Sequence, residues 1–202
     1  MNSLSSIYHT VKFWLIIVFL SIALGTVSLL AWTVDPGGGR SRKIASLWSR
    51  LICRLNGVPV DISGLENLNP DQAHIIVANH QSYFDIFALS GYLPIDIVWM
   101  AKSVLFKIPF VGWAMRAAGY ISVEREDKKK AYRAFMEAID KIKAGFSVVI
   151  FPEGTRSEDG EVAPFKKGSH LLALRSGTAM SPVTIVGSGK IIKKGSGVIR
   201  PG

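Results

Sequence analysis

His80 and Asp85 are the first residues in the chain whose types and spacing suggest chemistry. An imidazole can take a proton from a substrate hydroxyl. A carboxylate on its other nitrogen fixes the tautomer and stabilises the imidazolium as it forms. Five residues apart on one regular helix, the two would point about 140° away from each other. His80 therefore belongs in a turn before a helix, with Ser82 as N-cap and Asp85 at the third helical position. Ser82-x-x-Asp85 also reads as a capping box, in which Asp85 serves only the cap's backbone N–H. The motif alone leaves both readings open.

The stretch Phe151-Pro152-Glu153-Gly154-Thr155-Arg156-Ser157 is the second candidate. A Pro-x-Gly turn after an apolar run exposes backbone N–H groups, and Thr155, Arg156 and Ser157 add donors. Such a loop can hold a phosphate, with Arg156 as a bidentate fork, or it can be an ordinary solvated turn. Glu153 is ill suited to an anion and reads as orienting donors or a substrate hydroxyl. Lys102 and Arg125 complete a basic rim. Each also reads as a surface charge, and Arg125, among Glu124, Glu126 and Asp127, as a structural ion pair.

Other chemistries lack their residues. The sequence has no G-x-S-x-G and no H-E-x-x-H. Gly187-Ser188-Gly189-Lys190 resembles the end of a P-loop, but Thr184 holds the upstream glycine position and Ile191 the Ser/Thr position. His9, His74 and His170 form no cluster at metal-ligand spacing, and His74 reads as structural. The single cysteine, Cys53, excludes an intramolecular disulfide and a multi-cysteine metal site. Direct general-base catalysis remains: His80 deprotonates a hydroxyl, which then attacks an acyl carbonyl.

Positioning these groups requires a scaffold. Apolar runs at 74–78, 95–100, 120–123, 147–151 and 182–186 read as strands, alternating with helical patterns at 83–91, 109–118, 128–144 and 168–175. In the best of these helices, Tyr132, Phe135, Met136, Ile139 and Ile142 share a face and Gly145 is the stop. The alternation predicts an α/β domain with a mostly parallel sheet flanked by helices. Ligands bind at the carboxyl ends of such strands, and the candidate groups follow four successive strands.

Ahead of this domain (61–202) lie two further segments. Residues 1–35 contain 22 uncharged residues, Phe13 to Val34. As a helix that run is about 33 Å long, against about 30 Å of bilayer hydrocarbon. It is expected to be a membrane-embedded anchoring helix; a signal peptide and a buried soluble helix are the competitors. Residues 36–60 follow a Gly-rich break. There Ile44, Leu47, Trp48, Leu51, Ile52 and Leu55 recur at helical spacing among Arg40, Arg42, Lys43, Arg50 and Arg54. This reads as a basic amphipathic interfacial helix and linker, or as a helix packed on the core. Only Lys12 precedes the apolar run, so the positive-inside rule puts the bulk of the chain in the cytoplasm.

Composition agrees with these readings. A 49% hydrophobic content excludes intrinsic disorder, and a formal charge of +9 suits membrane surfaces, nucleic acid or phosphorylated substrates. The apolar N-terminus and the lack of a basic-aromatic motif argue against nucleic acid.

Four ordered motifs carry a family resemblance: Asn79-His80-x4-Asp85, Gly119-x-Ile121-x-Val123-x-Arg125, Phe151 to Ser157, and Ser181-Pro182-Val183. From about Asn67 to Gly202 the chain resembles the glycerophospholipid acyltransferases, most nearly the bacterial branch acting on 1-acyl-glycerol-3-phosphate. The resemblance implies acyl transfer from acyl-CoA or acyl-carrier protein to the sn-2 hydroxyl of lysophosphatidate, giving phosphatidate. His80 would be the base and Asp85 its partner. Glu153, Gly154, Thr155 and Arg156 would bind the substrate, with Lys102 and Arg125 assisting. No metal or cofactor is implied beyond the acyl donor as co-substrate. The implied location is the bacterial inner membrane, catalytic domain on the cytoplasmic side. Glycerol-3-phosphate, another lysolipid or an ornithine-type lipid are alternative acceptors, and a non-catalytic anionic-lipid-binding protein is the alternative class. Ser122 stands where the second motif often has a large apolar residue. The end at Arg200-Pro201-Gly202, where relatives continue, gives the expectation of a C-terminally truncated domain.

Overall fold

The computed structural model describes residues 3–200. Five parallel strands form one sheet: β1 (Ile75–Ala78), β2 (Ile97–Lys102), β3 (Ile121–Val123), β4 (Ser147–Ile150) and β5 (Met180–Val183), in the order β3-β2-β4-β1-β5. The helices are α1 (Ser3–Val34), α2 (Gly39–Leu55), α3 (Phe84–Tyr92), α4 (Val111–Ala117), α5 (Lys128–Lys143), α6 (Lys167–Ser176) and the short α7 (Ser188–Ile191). The α/β fold with a parallel sheet and a long apolar N-terminal helix is as expected.

The central strands are runs of β-branched residues because both faces are covered. Ile75, Val98 and Val148 point towards α5 and α6, while Ile76, Ile97 and Val149 point towards α3. α5 starts at Asp127, whose side chain accepts the N–H groups of Lys129 and Lys130. Its fully covered stripe is Ala134, Ala138, Ile139 and Ile142, which keeps Ile139 and Ile142 of the expected face and adds two alanines. Alanines allow close approach to the sheet, so Tyr132 is left exposed and Phe135 and Met136 pack at the margin.

Two strands begin two residues away from their expected positions. β2 starts at Ile97, where its pairing with Ser147 of β4 begins, and runs to Lys102, which pairs with Val123 of β3, so Lys102 ends the strand instead of following it. β5 starts at Met180 and stops at Val183; beyond it, the main chain of Ile185 pairs with the Asn79 side chain instead of with a strand.

Of the two readings of α2, Arg42 follows the one that packs the helix on the core. It is buried, with Nε on Asp96 at 2.8 Å and Nη1 donating to the carbonyls of Gly37 and Ala118. It fastens α2 to the sheet domain, while Arg40, Lys43 and Arg54 remain exposed.

α1 is long and apolar enough to cross a membrane by length and composition. It is docked on the body along one side. Thr10 Oγ1 accepts the Ile199 N–H, Phe13 packs on Phe84, Gly25 abuts Phe110, and the Ser28 carbonyl accepts from Ser41. These contacts run along about 27 Å of helix. The other side is uncovered, with Leu15, Phe19 and Leu30 all more than 60% exposed. Each such side chain forgoes about 1.5–3 kcal/mol of burial in water, so this side calls for an apolar partner. Between α1, α2 and α4 lies an apolar cavity of about 90 Å³, walled by Leu24, Gly25, Ile44, Trp48, Met115 and Tyr120.

Candidate active site

β1 ends at Ala78 and the chain turns before α3, which places His80 at the carboxyl edge of the sheet. His80 Nδ1 lies 2.7 Å from Asp85 Oδ2. The same oxygen accepts the N–H groups of Gln81 at 2.7 Å and Ser82 at 2.9 Å. The two readings of this motif are therefore both true: Asp85 closes the turn and also holds the imidazole. Ser82 is not the N-cap. α3 begins at Phe84 after Tyr83, and the Ser82 hydroxyl donates instead to the Ile192 carbonyl at 2.9 Å.

Asp85 is fully buried and accepts three bonds, so the imidazole presents Nδ1–H to it and keeps the Nε2 lone pair. Nε2 has no hydrogen bond among the described residues, and 14% of the His80 side chain stays exposed. The ring lies flat on Phe151, with centroids 3.8 Å apart and planes at 7°, and Phe151 in turn lies against Trp99. The His80 main chain is held as well: its N–H donates to Glu153 Oε1 at 2.8 Å and its carbonyl accepts the Ser157 N–H at 2.7 Å. Only the proton-accepting nitrogen is left open.

Glu153 is 3% exposed, and its second oxygen accepts the Ala163 N–H at 3.0 Å. Of the two roles open to it, the geometry favours orienting donors: those donors are main-chain groups, and no substrate hydroxyl is needed to satisfy the carboxylate. Gly154 has φ +76°, a conformation that favours glycine in the turn, and the Lys166 side chain lies over its Cα.

The four cationic and hydroxyl candidates differ in setting. Arg156 lies over the Tyr83 ring at 4.0 Å, and its Nη1 is enclosed without a partner among the described residues. A guanidinium nitrogen in that state calls for an anionic acceptor. Arg125 Nη1 donates to the Gly154 carbonyl, so it braces the same turn from the β3 side. Lys102 and Thr155 are exposed at the ends of β2 and of the turn. Cys53 is buried, its thiol pushed up to about 12 by desolvation, and is no nucleophile at neutral pH. Phe151, Tyr83 and Lys166 are the supporting residues that sequence reasoning missed. Only the position of Phe151 directly before the Pro-x-Gly turn could have pointed to one of them.

Comparisons with known proteins agree with this geometry. The family model described as Acyltransferase matches residues 59–186. A chloroplastic 1-acyl-sn-glycerol-3-phosphate acyltransferase of Brassica napus is 39% identical over 161 residues, which cover 79% of this chain and 46% of that protein. The chain thus spans about half the length of the chloroplast relatives it matches. The 1-acyl-sn-glycerol-3-phosphate acyltransferase of Pseudomonas aeruginosa is 32% identical over 180 residues, covering 87% of this chain and 69% of that protein. The crystal structure of the 1-acyl-sn-glycerophosphate acyltransferase PlsC from Thermotoga maritima is similar at a TM-score of 0.85 and 32% identity, covering 98% of this chain and 81% of that one. With a histidine–carboxylate pair and an enclosed arginine nitrogen at the carboxyl edge of its sheet, and on the strength of these matches, the chain belongs to the acyltransferase family, among the 1-acyl-sn-glycerol-3-phosphate acyltransferases.

Proposed function

We propose that the chain transfers a fatty acyl group from a thioester, of acyl-CoA or of acyl-carrier protein, to the sn-2 hydroxyl of 1-acyl-glycerol-3-phosphate. The products are phosphatidate and the free thiol. The observation that carries this reading is the pairing of an open His80 Nε2, backed by Asp85, with the unpartnered Arg156 Nη1 on Tyr83, three residues further along the same turn.

Nε2 takes the proton of the sn-2 hydroxyl as its oxygen attacks the thioester carbonyl. The tetrahedral intermediate collapses by breaking the C–S bond, and the imidazolium returns the proton to the departing thiolate. Asp85 holds the ring through Nδ1–H and stabilises its charged form. Arg156 receives the acceptor's phosphate and sets the hydroxyl near His80, with Lys102 and Thr155 at the open edge and Arg125 bracing the turn. The phosphate supplies the binding energy that fixes the hydroxyl, so an acceptor without a phosphate monoester is a poor substrate.

A lipid acceptor explains α1. Its docked side is committed to the body along most of its length, so the helix lies along the membrane face with its uncovered side in the apolar layer instead of crossing it. Arg40, Lys43 and Arg54 meet the anionic headgroups of the cytoplasmic leaflet, with the body on the cytoplasmic side of the inner membrane.

The test is thiol release from palmitoyl-CoA and from palmitoyl-carrier protein with three acceptors: lysophosphatidate, glycerol-3-phosphate and lysophosphatidylcholine. Lysophosphatidate should accelerate release from at least one donor more than about tenfold over lysophosphatidylcholine, as expected for a weakened charge-assisted phosphate contact, and should also exceed glycerol-3-phosphate, which keeps the phosphate but lacks the acyl chain. Equal or faster release with lysophosphatidylcholine would overturn the assignment.

A further inference from the structure

The glycine-containing segment after β5, which matches no phosphate loop, lies against the catalytic turn. Asn79 Oδ1 accepts the Ile185 N–H at 2.7 Å, and Asn79 Nδ2 donates to the Ile185 carbonyl at 2.9 Å. Two bonds exchanged with one residue reproduce, through a side-chain amide, what an antiparallel strand residue would provide. The β1–β5 register ends at Ala78 and Val183, because β1 must leave the sheet to aim His80. The Asn79 side chain carries the attachment onward from there.

Two further contacts join the same pieces. The Ser82 hydroxyl, fully buried, donates to the Ile192 carbonyl at 2.9 Å. A Cβ on Gly189 would lie 3.3 Å from the Gln81 Cβ, so glycine lets the segment pass this close to the turn. Residues 79, 81 and 82 surround His80, and all three face residues 185–192. The Ile185 side chain also packs in the apolar cluster that contains Phe151, the ring on which His80 lies.

We infer that residues 185–192 form a collar around the catalytic turn, and that Asn79 and Ser82 are positioning residues for His80, acting through that collar and not on substrate. This rests on the acyl-transfer reading for its kinetic consequences but not for its structural ones. A collar that slackens lets the base drift from the hydroxyl, and a misplacement of about 1 Å costs on the order of a hundredfold in rate.

The experiment uses the full chain with Asn79→Ala and Ser82→Ala. Both variants should lower kcat by about ten- to hundredfold while the acceptor KM stays within about twofold. A kcat within twofold of the parent, or a loss confined to KM, overturns the inference. Asn79→Asp keeps the shape and the oxygen for the Ile185 N–H but sets a carboxylate oxygen against the Ile185 carbonyl, so it loosens the collar if the alanine variant does not fold; a parental kcat in Asn79→Asp overturns it equally. A second readout needs no turnover. The downfield proton resonance of His80 Nδ1–H should broaden or vanish in the variants while far-ultraviolet circular dichroism is unchanged. An undisturbed resonance overturns the collar. Its loss in the variants, beside a parent chain that releases no thiol, supports the collar and counts against the acyl-transfer reading alone.

Discussion

Strand β1 carries a histidine just beyond each end, and the two are held in opposite ways. His74, before the strand, is 7% exposed and uses both ring nitrogens: Nδ1 pairs with Ser181 Oγ at 2.9 Å and Nε2 with the Asn69 carbonyl at 2.7 Å. His80, after the strand, has its main chain, Nδ1 and ring face secured, and Nε2 open. A saturated histidine can only stabilise, whereas one with a single open nitrogen can move a proton. The same asymmetry separates the two edges of the sheet. The two charged groups with an enclosed, unpartnered atom among the described residues, Asp85 Oδ1 and Arg156 Nη1, both lie at the His80 end. Unmet charged groups thus lie where parallel sheets bind ligands, whereas the enclosed, unpartnered atoms of Ser21, Ser28 and Trp48, between α1 and α2, are all uncharged.

That contrast can be broken most severely at Asp85. Asp85→Asn keeps the shape but offers an N–H to Nδ1, which favours the tautomer with its proton on Nε2. The expected loss in kcat is about 10²–10⁴-fold, measured by thiol release; a loss under tenfold would mean that Asp85 serves the turn alone. Arg156→Ala should raise the acceptor KM by about ten- to a hundredfold, the value of one charge-assisted bond at roughly 1.5–3 kcal/mol, with a smaller change in kcat. An unchanged KM would remove the phosphate from this arginine.

At the other end of the strand the expected sign differs. His74→Ala should leave kcat within about twofold of the parent while costing about 1–3 kcal/mol of stability for two lost hydrogen bonds. In a chain of this size that is about 2–4 °C in Tm for each kcal/mol. The smallest effect belongs to Asp127, whose carboxyl is held below its ordinary range chiefly by the Lys130 N–H, with help from the Lys129 N–H and the Lys130 charge. Its folded-state pKa lies below its unfolded one. Its contribution to stability is therefore complete above the unfolded carboxylate range and is lost as pH falls through the folded value. Asp127→Ala should lower Tm at pH 7 by less than His74→Ala does, and the difference from the parent should shrink as the pH approaches about 3. A difference that is constant across that range would show that the carboxylate charge is irrelevant to the cap.

The sequence announced what is local. His80, Asp85 and the Phe151–Ser157 turn could be placed at strand ends because a base, its partner and a Pro-x-Gly turn are written within a few residues of one another. Residues whose partners lie far along the chain were misread or left between two readings. Ser82 has the chemistry of an N-cap, but its hydroxyl bonds a carbonyl 110 positions away. Arg42 has the surroundings of an interfacial cation, but it pairs with Asp96, 54 positions on. Glu153 reads from the sequence as orienting donors or a substrate hydroxyl, and only the structure shows which: its carboxylate accepts a backbone N–H 73 positions earlier. The parallel sheet was legible from the alternation of elements, whereas the β3-β2-β4-β1-β5 order was not, since it depends on which apolar faces find each other in space.

The contrast between the two histidines is tested most directly by lysophosphatidate-dependent thiol release in the parent chain, His80→Ala and His74→Ala, assayed side by side with palmitoyl-CoA and palmitoyl-carrier protein. The account predicts that His80→Ala loses about 10²–10⁴-fold in kcat, the range for a missing general base, while His74→Ala keeps the parental rate at a temperature where it remains folded. Turnover that survives in His80→Ala, or falls equally in both variants, would contradict it.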